Sequence, residues 1–264
     1  MKVALVSLNQ SWENKSENRK KVQDSLNLIF LSNNQNIDLV IYPEMTLTGF
    51  TMDSAKIKET LEHSETIHFI KERAKEYKVA IAFGVVLAKE ERATNNLVVV
   101  DTNGKVISSY SKIHPFSYAK EQENYMGGSE LVFSEIKNTI VGLTVCYDLR
   151  FPELYQGLSK HCKAIINIAN WPQKRVEHWN TLLKARAIEN QVFIIGVNRT
   201  GRDGNDIDYV KSSQIISPYG EVLKGEKLSE EVDIYEINEQ EADRYRQEFP
   251  VKNDRKIELY KTIL

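Results

Sequence analysis

Three polar residues interrupt apolar runs where strands should finish. Glu44 closes "DLVIYPE", Lys112 follows "KVISSYS" and Cys146 closes "TIVGLTVC". In α/β sheets, ligands bind beyond the carboxyl ends of the strands. If these strands are parallel neighbours, the three side chains meet at one end of one sheet. The trio then has the parts of a nucleophilic site. A free thiol has a pKa near ~8.5, so it needs a base or a cation beside it. Glu44 offers the base, and Lys112 a cation for the charge that develops on an attacked carbonyl or nitrile. Cys146 lies where the strand gives way to a helix read from "FPELYQGLS", whose N-terminal dipole would favour a thiolate. Taken singly, each residue has a plain structural reading: packing thiol, loop carboxylate, solvated ammonium.

The elements that must position them alternate along the chain. "VALVSL", "IDLVIYPE", "VAIAFGVVL", "NLVVVD", "TIVGLTVC", "AIINIAN", "VFIIGVN" and "SSQIISP" are short runs rich in Val and Ile, and they read as strands. Several are apolar on successive residues, as strands covered on both faces are. Stretches around 17–33, 59–77, 152–161 and 178–190 read as amphipathic helices. In the first, Val22, Leu26, Ile29 and Phe30 fall at helical spacing; in the last, Leu182, Leu183, Ala185 and Ile188 do. "DTNGK" and "SPYGE" read as hairpin connections. No linker, low-complexity segment or internal repeat divides the chain, so one α/β domain over 1–264 is expected. The segment after Pro250, "VKNDRKIELYKTIL", reads as a surface tail or as one that packs on a partner subunit.

Composition narrows the partners. The 264 residues are 41% hydrophobic and 27% charged, with a formal net charge of −2. Charges of both signs are interspersed, so neither nucleic acid nor an anionic membrane is expected as a partner. The apolar run in "MKVALVSLNQSWE" is too short for a signal peptide, and no run approaches the ~18–20 apolar residues of a membrane span. With two cysteines, Cys146 and Cys162, a reducing, cytoplasmic setting is expected.

With their flanks, the three residues resemble the catalytic blocks of the nitrilase superfamily, the carbon–nitrogen hydrolases. The blocks are "DLVIYPEMTLTGF", "YSKIHPF" and "GLTVCYDLRFPELY". The likeness continues through "NIANWPQKRVEHWNTLLKARAIENQVFIIGVNRTGRDGN" and "SSQIISPYGEVL", nearly the whole chain, and is nearest to the ω-amidase branch. The resemblance implies a four-layer α-β-β-α sandwich, pairing of two copies into a homodimer, and no metal or organic cofactor. It implies Glu44 as general base, Lys112 as stabiliser of the tetrahedral intermediate and Cys146 as nucleophile, with the Tyr147 backbone N–H completing the oxyanion site. A further glutamate is expected between lysine and cysteine. Glu121 is the better match, with Glu123 two residues away as the alternative.

The expected reaction is hydrolysis of a small amide through a cysteine thioester. The branch resemblance implies dicarboxylic acid monoamides such as 2-oxoglutaramate or 2-oxosuccinamate. Arg150 is the candidate for their remote carboxylate, because Arg pairs with carboxylates in a forked geometry; an ion pair with an acid such as Glu153, or with one across the dimer, is the competing reading. Phe116, Tyr118 and Trp171 are candidates for the pocket wall. Arg186 and Glu189, at helical i, i+3 spacing, should form a supporting ion pair, and Cys162 should be a core thiol. Alternatives are an amidase for deaminated glutathione, a nitrile hydrolase or, in another class, a redox-sensing thiol protein.

Overall fold

In the computed structural model of the chain, residues 1–31 and 36–263 are described. The strands that carry the site are β1 (Lys2–Val6), β2 (Leu39–Ile41), β3 (Ala80–Lys89), β4 (Arg92–Val100), β5 (Val106–Ser111), β6 (Phe133–Ile136), β7 (Thr139–Val145), β8 (Ala164–Ala169) and β9 (Phe193–Asn198). The helices are α1 (Lys15–Leu31), α2 (Ser54–Ile57), α3 (Glu65–Tyr77), α4 (Glu121–Asn124), α5 (Pro152–Leu158) and α6 (Val176–Asn190), followed by Gln240–Glu248 and a C-terminal helix, Ile257–Ile263. One large sheet runs Glu226–Lys227, Val232–Glu236, β1, β2, β3, β4, β5; a second runs Gln214–Ile216, β9, β8, β7, β6; Gly201–Arg202 and Asp208–Tyr209 form a small two-stranded ribbon. β1–β2–β3 and β7–β8–β9 are the parallel parts.

The alternation of side chains along each strand builds the layers. Val3 and Leu5, Ala80 and Ala82, and Leu97 and Val99 point inward and meet Leu143, Ile166 and Ile195 of the other sheet. The opposite faces of the first sheet, with Ala4, Val6, Ile81 and Phe83, take Val22, Leu26 and Ile29 of α1 and Ile67 and Ile70 of α3. On the far side, Ile165 and Ile194 take Leu154 and Leu158 of α5 and Trp179, Leu183 and Ala187 of α6. Helices, sheet, sheet, helices: this is the four-layer α-β-β-α sandwich, and burial on both faces explains the unbroken apolar runs.

Several boundaries move. The helix expected over 17–33 is Lys15–Leu31, and positions 32 and 33, like 264, lie outside the described residues. The one expected over 59–77 begins at Glu65, because Ser64 Oγ accepts the Ile67 N–H and caps it, while Glu59 bridges to Leu87 instead. The 152–161 helix stops at Leu158. Strands absent from the sequence reading include β6 and Val232–Glu236, and the two-residue strands Gly201–Arg202, Asp208–Tyr209 and Glu226–Lys227. "DTNGK" joins the antiparallel pair β4–β5; "SPYGE" closes a tight turn with one bridge, Ile216 to Val222.

Glu44 follows β2 and Lys112 follows β5 in one sheet, whereas Cys146 follows β7 in the other. They do not share one sheet edge. They meet because two sheets stack face to face with the carboxyl ends of β2 and β7 at the same end of the sandwich.

Candidate active site

Cys146 sits on a sharp elbow. Its φ of +48° lies in the left-handed region that L-residues avoid. Asp148 holds it there. Its fully buried carboxylate accepts the Val145 N–H (3.0 Å), the Tyr110 hydroxyl (2.7 Å) and the His114 N–H (3.0 Å), and pairs with His114 Nδ1 (2.7 Å). One carboxylate thus pins the segment that follows Lys112 to the elbow that carries the thiol. The His114 ring stacks on Phe151 at 3.7 Å, so this histidine partners Asp148 and not the thiol. Cys146 opens a five-residue 3-10 turn, Cys146–Arg150, and α5 begins only at Pro152. The expected α-helix dipole at the sulfur is therefore replaced by a short turn.

The Glu44 segment is equally constrained. Gly84 lets it lie close on β3: a Cβ there would stand 2.1 Å from the Met45 nitrogen. Gln10 Nε2 donates to the carbonyls of Glu44, Met45 and Thr46 at 3.0, 2.9 and 3.2 Å. The side chain is fully buried. Its Oε1 accepts from Asn95 Nδ2 (2.6 Å) and Lys112 Nζ (3.3 Å), and its Oε2 accepts the Asn170 N–H (2.9 Å).

Lys112 stands between two carboxylates, with Glu121 Oε2 the nearer at 2.7 Å. Glu121 also accepts the Phe116 N–H (2.6 Å) and, more weakly, Asn95 Nδ2 (3.2 Å). It is fully buried, whereas Glu123 is exposed on the same short helix, α4. Of the two glutamates, the structure brings Glu121 to the lysine.

The charges set the resting state. Burial lifts the Glu44 carboxyl above its ordinary range; Lys112 opposes this and Glu121 adds to it. Burial also lifts the Cys146 thiol well above its ordinary value, with Glu44 adding and Lys112 opposing. For Lys112, the two glutamates outweigh the burial that would lower its pKa. The resting sulfur is therefore a thiol beside a base, not a preformed thiolate. Alkylation by iodoacetamide, without substrate, should accelerate with pH and still be climbing above pH ~9, since the rate follows the thiolate fraction. A plateau near pH 7 would contradict this.

Cys146 opens onto a cavity of about 700 Å³. Phe116, Tyr118, Tyr147, Arg150 and Trp171, the five residues anticipated around the substrate, all line it. Phe116 packs on Tyr147 (4.8 Å between centroids), Trp171 is buried with its indole N–H on the Arg175 carbonyl, and Tyr118 is 84% exposed at the rim. Arg150 lies over the Trp171 ring (4.9 Å) with Nη2 3.2 Å from His178 Nδ1. Among the described residues it forms no ion pair, with Glu153 or otherwise. The Arg186–Glu189 pair forms at 3.0 Å, and Cys162 is a buried thiol.

Sequence reasoning missed Asn95, Asp148, Asn170, Arg175 and Tyr209. Asn95 left a trace, a polar "NN" interrupting a buried strand; Asn170 ends the apolar run "AIINIA" as Cys146 ends its own. Asn170, Arg175 and Tyr209 also line the cavity.

A buried carboxylate–lysine–carboxylate group beside a thiol, between two stacked sheets, defines a class, and the comparisons name it. The carbon-nitrogen hydrolase family model matches residues 2–247, and the chain belongs to that family. It is 36% identical over 234 residues to a Staphylococcus aureus protein named hydrolase in agr operon (86% of this chain, 88% of that one). It is 34% identical over 223 residues to the omega-amidase of Escherichia coli (82% and 84%). It is 31% identical over 262 residues to the 2-oxoglutaramate amidase of Bacillus subtilis (98% of each). Among solved structures, a CN-hydrolase superfamily protein from Xanthomonas campestris, with an arsenic adduct in its active site, superposes with a TM-score of 0.88 at 30% identity, covering 97% of each chain.

Proposed function

We propose that the protein hydrolyses the ω-amide of small dicarboxylic acid monoamides, of the 2-oxoglutaramate and 2-oxosuccinamate type, to the acid and ammonia. The observation that carries this reading is the cationic side of the cavity. Arg150 and Arg175 line it beside aromatic rings and the thiol, neither pairs with a carboxylate among the described residues, and Arg150 closes the turn that Cys146 opens. A substrate carboxylate at the far end from the amide supplies that partner. The likeness to proteins named for omega-amidase and 2-oxoglutaramate amidase activity supports the same substrate class.

Glu44 takes the thiol proton as Cys146 Sγ attacks the amide carbon and the C=O electron pair moves to oxygen. Lys112 and the Tyr147 N–H hold that oxyanion; the first N–H groups of a helical turn lack intrahelical partners. Glu121 fixes the lysine and faces the substrate amide. As the tetrahedral intermediate collapses, the C–N bond breaks, the proton held by Glu44 passes to nitrogen and ammonia leaves. Water, deprotonated by Glu44, attacks the thioester, the C–S bond breaks and the proton returns to sulfur. A carboxyl raised by burial suits both directions of transfer. No metal or organic cofactor has a part in these steps.

A cavity of about 700 Å³ suits ligands larger than a five-carbon monoamide, and that favours deaminated glutathione as the second reading. Redox sensing is disfavoured by the thiols' separation. Cys162 Sγ packs level with Gly142, four residues before Cys146, or about 13 Å along a strand rising ~3.3 Å per residue. A disulfide cannot span that.

Ammonia release from succinamate, 2-oxoglutaramate, deaminated glutathione and a simple nitrile tests the assignment. The short monoamides should be preferred, and Arg150→Leu should lower their kcat/KM about 10–100-fold, chiefly through KM, the loss expected of a charged hydrogen-bonded pair. An uncharged amide such as propionamide should be little affected. Equal losses on both would sink the carboxylate role. A single 1–264 domain, a cytoplasmic setting and a homodimer belong to the same reading. Exposed Ile257, Leu259 and Ile263 of the C-terminal helix support the homodimer, and a monomeric mass by sedimentation would contradict it.

A further inference from the structure

We infer that Asn170 reads the amino group of the substrate amide, its Oδ1 accepting an N–H of the nitrogen that leaves. This rests on the amidase reading above and adds to it a residue that distinguishes the nitrogen end of the scissile bond from an oxygen.

Asn170 follows β8, is 4% exposed and lines the cavity together with Cys146. Its position is over-determined. Its backbone N–H donates to Glu44 Oε2 (2.9 Å) and its Nδ2 to the Glu44 carbonyl (2.7 Å). The next residue is hooked from both ends by Asn198, whose Oδ1 accepts the Trp171 N–H (2.7 Å) and whose Nδ2 donates to the Trp171 carbonyl (2.9 Å). A backbone carbonyl only accepts, so the NH₂ end of Asn170 must face Glu44, and a flipped amide is excluded. Oδ1 is thereby turned to the other side. It is buried and has no hydrogen-bond partner among the described residues.

The chemistry of the substrate fits that oxygen. A primary amide presents one acceptor oxygen and two N–H donors in a plane. The oxygen goes to the donors around Lys112. The N–H groups need acceptors: Glu44, which hands a proton to the leaving nitrogen, stands beside it, and Asn170 is hydrogen-bonded to that same Glu44 segment. Asn170 Oδ1 supplies a neutral acceptor that takes no part in proton transfer. An ester has no N–H to offer and would leave Oδ1 unpaired, the kind of mismatch that lets a hydrogen-bonding site reject an analogue strongly.

The test compares kcat/KM for succinamate with that for monomethyl succinate, which shares the carboxylate end and the acyl group. kcat/KM reports steps up to acylation, where the leaving groups differ. Asn170→Ala loses both ends of the side chain: the missing Nδ2 slows both substrates alike, and the missing Oδ1 is expected to lower the amide-to-ester ratio of kcat/KM about 20-fold on top of that. Asn170→Asp keeps an acceptor and loses the Nδ2 donor; both substrates should slow together, with the wild-type amide-to-ester ratio kept within about fivefold. An equal fall on both substrates in Asn170→Ala would mean that the residue only props the Glu44 segment, and the inference would be overturned alone. A collapse of the ratio in Asn170→Asp would overturn it too. If the wild type turned over neither substrate in a Cys146-dependent way, the amidase reading would fall and the inference with it.

Discussion

Lys112→Met is expected to cost both activity and stability, by about 10²–10³-fold in kcat/KM and about 3–5 kcal/mol in unfolding free energy. The ammonium is 1% exposed and lies 3.3 Å from Glu44 and 2.7 Å from Glu121. Removing it leaves two carboxylates in one dry pocket with only Asn95 between them. They cannot both stay ionised there, so the folded variant must take up a proton. The sign of the pH dependence follows. The unfolded chain releases that proton at ordinary carboxylate pKa values, so the variant loses stability as pH rises past them. Adding Glu121→Gln removes one of the like charges and should restore part of the stability with no return of activity. Urea denaturation of the two variants beside the wild type reads this directly. A Lys112→Met variant as stable as the parent would mean that the lysine is not the charge that holds the pocket together.

Cys146→Ala is expected to abolish amide hydrolysis, by about 10⁴-fold or more, since removing a nucleophile has effects of that order in comparable enzymes. The fold should survive. The elbow is held by Asp148 through Val145, Tyr110 and His114, and these contacts bypass the sulfur. Unchanged thermal unfolding with vanished ammonia release is therefore the expected pair of results, and it separates a chemical role from a packing one. Substantial residual turnover would move the nucleophile elsewhere.

Much of this arrangement is legible in the chain because the strands carry it. β2 and β7 each lead from a largely buried run to a polar residue, Lys112 follows the half-exposed β5, and the turn chemistry of "DTNGK" sets β4 against β5. What is not legible is depth. Nothing in the sequence says that β2 and β7 belong to different sheets, because an apolar run buried against a helix and one buried against a second sheet look alike. The supporting polar residues fail for a related reason. Asn170 reaches Glu44 across 126 residues, and Asp148 reaches His114 and Tyr110 across 34 and 38. Their side chains are ordinary loop types until the sandwich closes over them. Glu121 and Glu123 show the limit at close range. Two residues apart on one short helix, they differ only in which faces the lysine, and the 3-10 turn Ser117–Ala119 that sets this carries no strong sequence signal.

The central claim, that Cys146 forms an acyl bond with the substrate, is tested most directly by trapping it. Enzyme turning over succinamate is quenched in acid, digested and examined by mass spectrometry. The account predicts a succinyl group on the peptide bearing Cys146, released by hydroxylamine and absent from Cys146→Ala and Cys162-bearing peptides. Ammonia accumulating while the acyl group sits on another residue, or a Cys146→Ala variant that still releases ammonia at the wild-type rate, would contradict it.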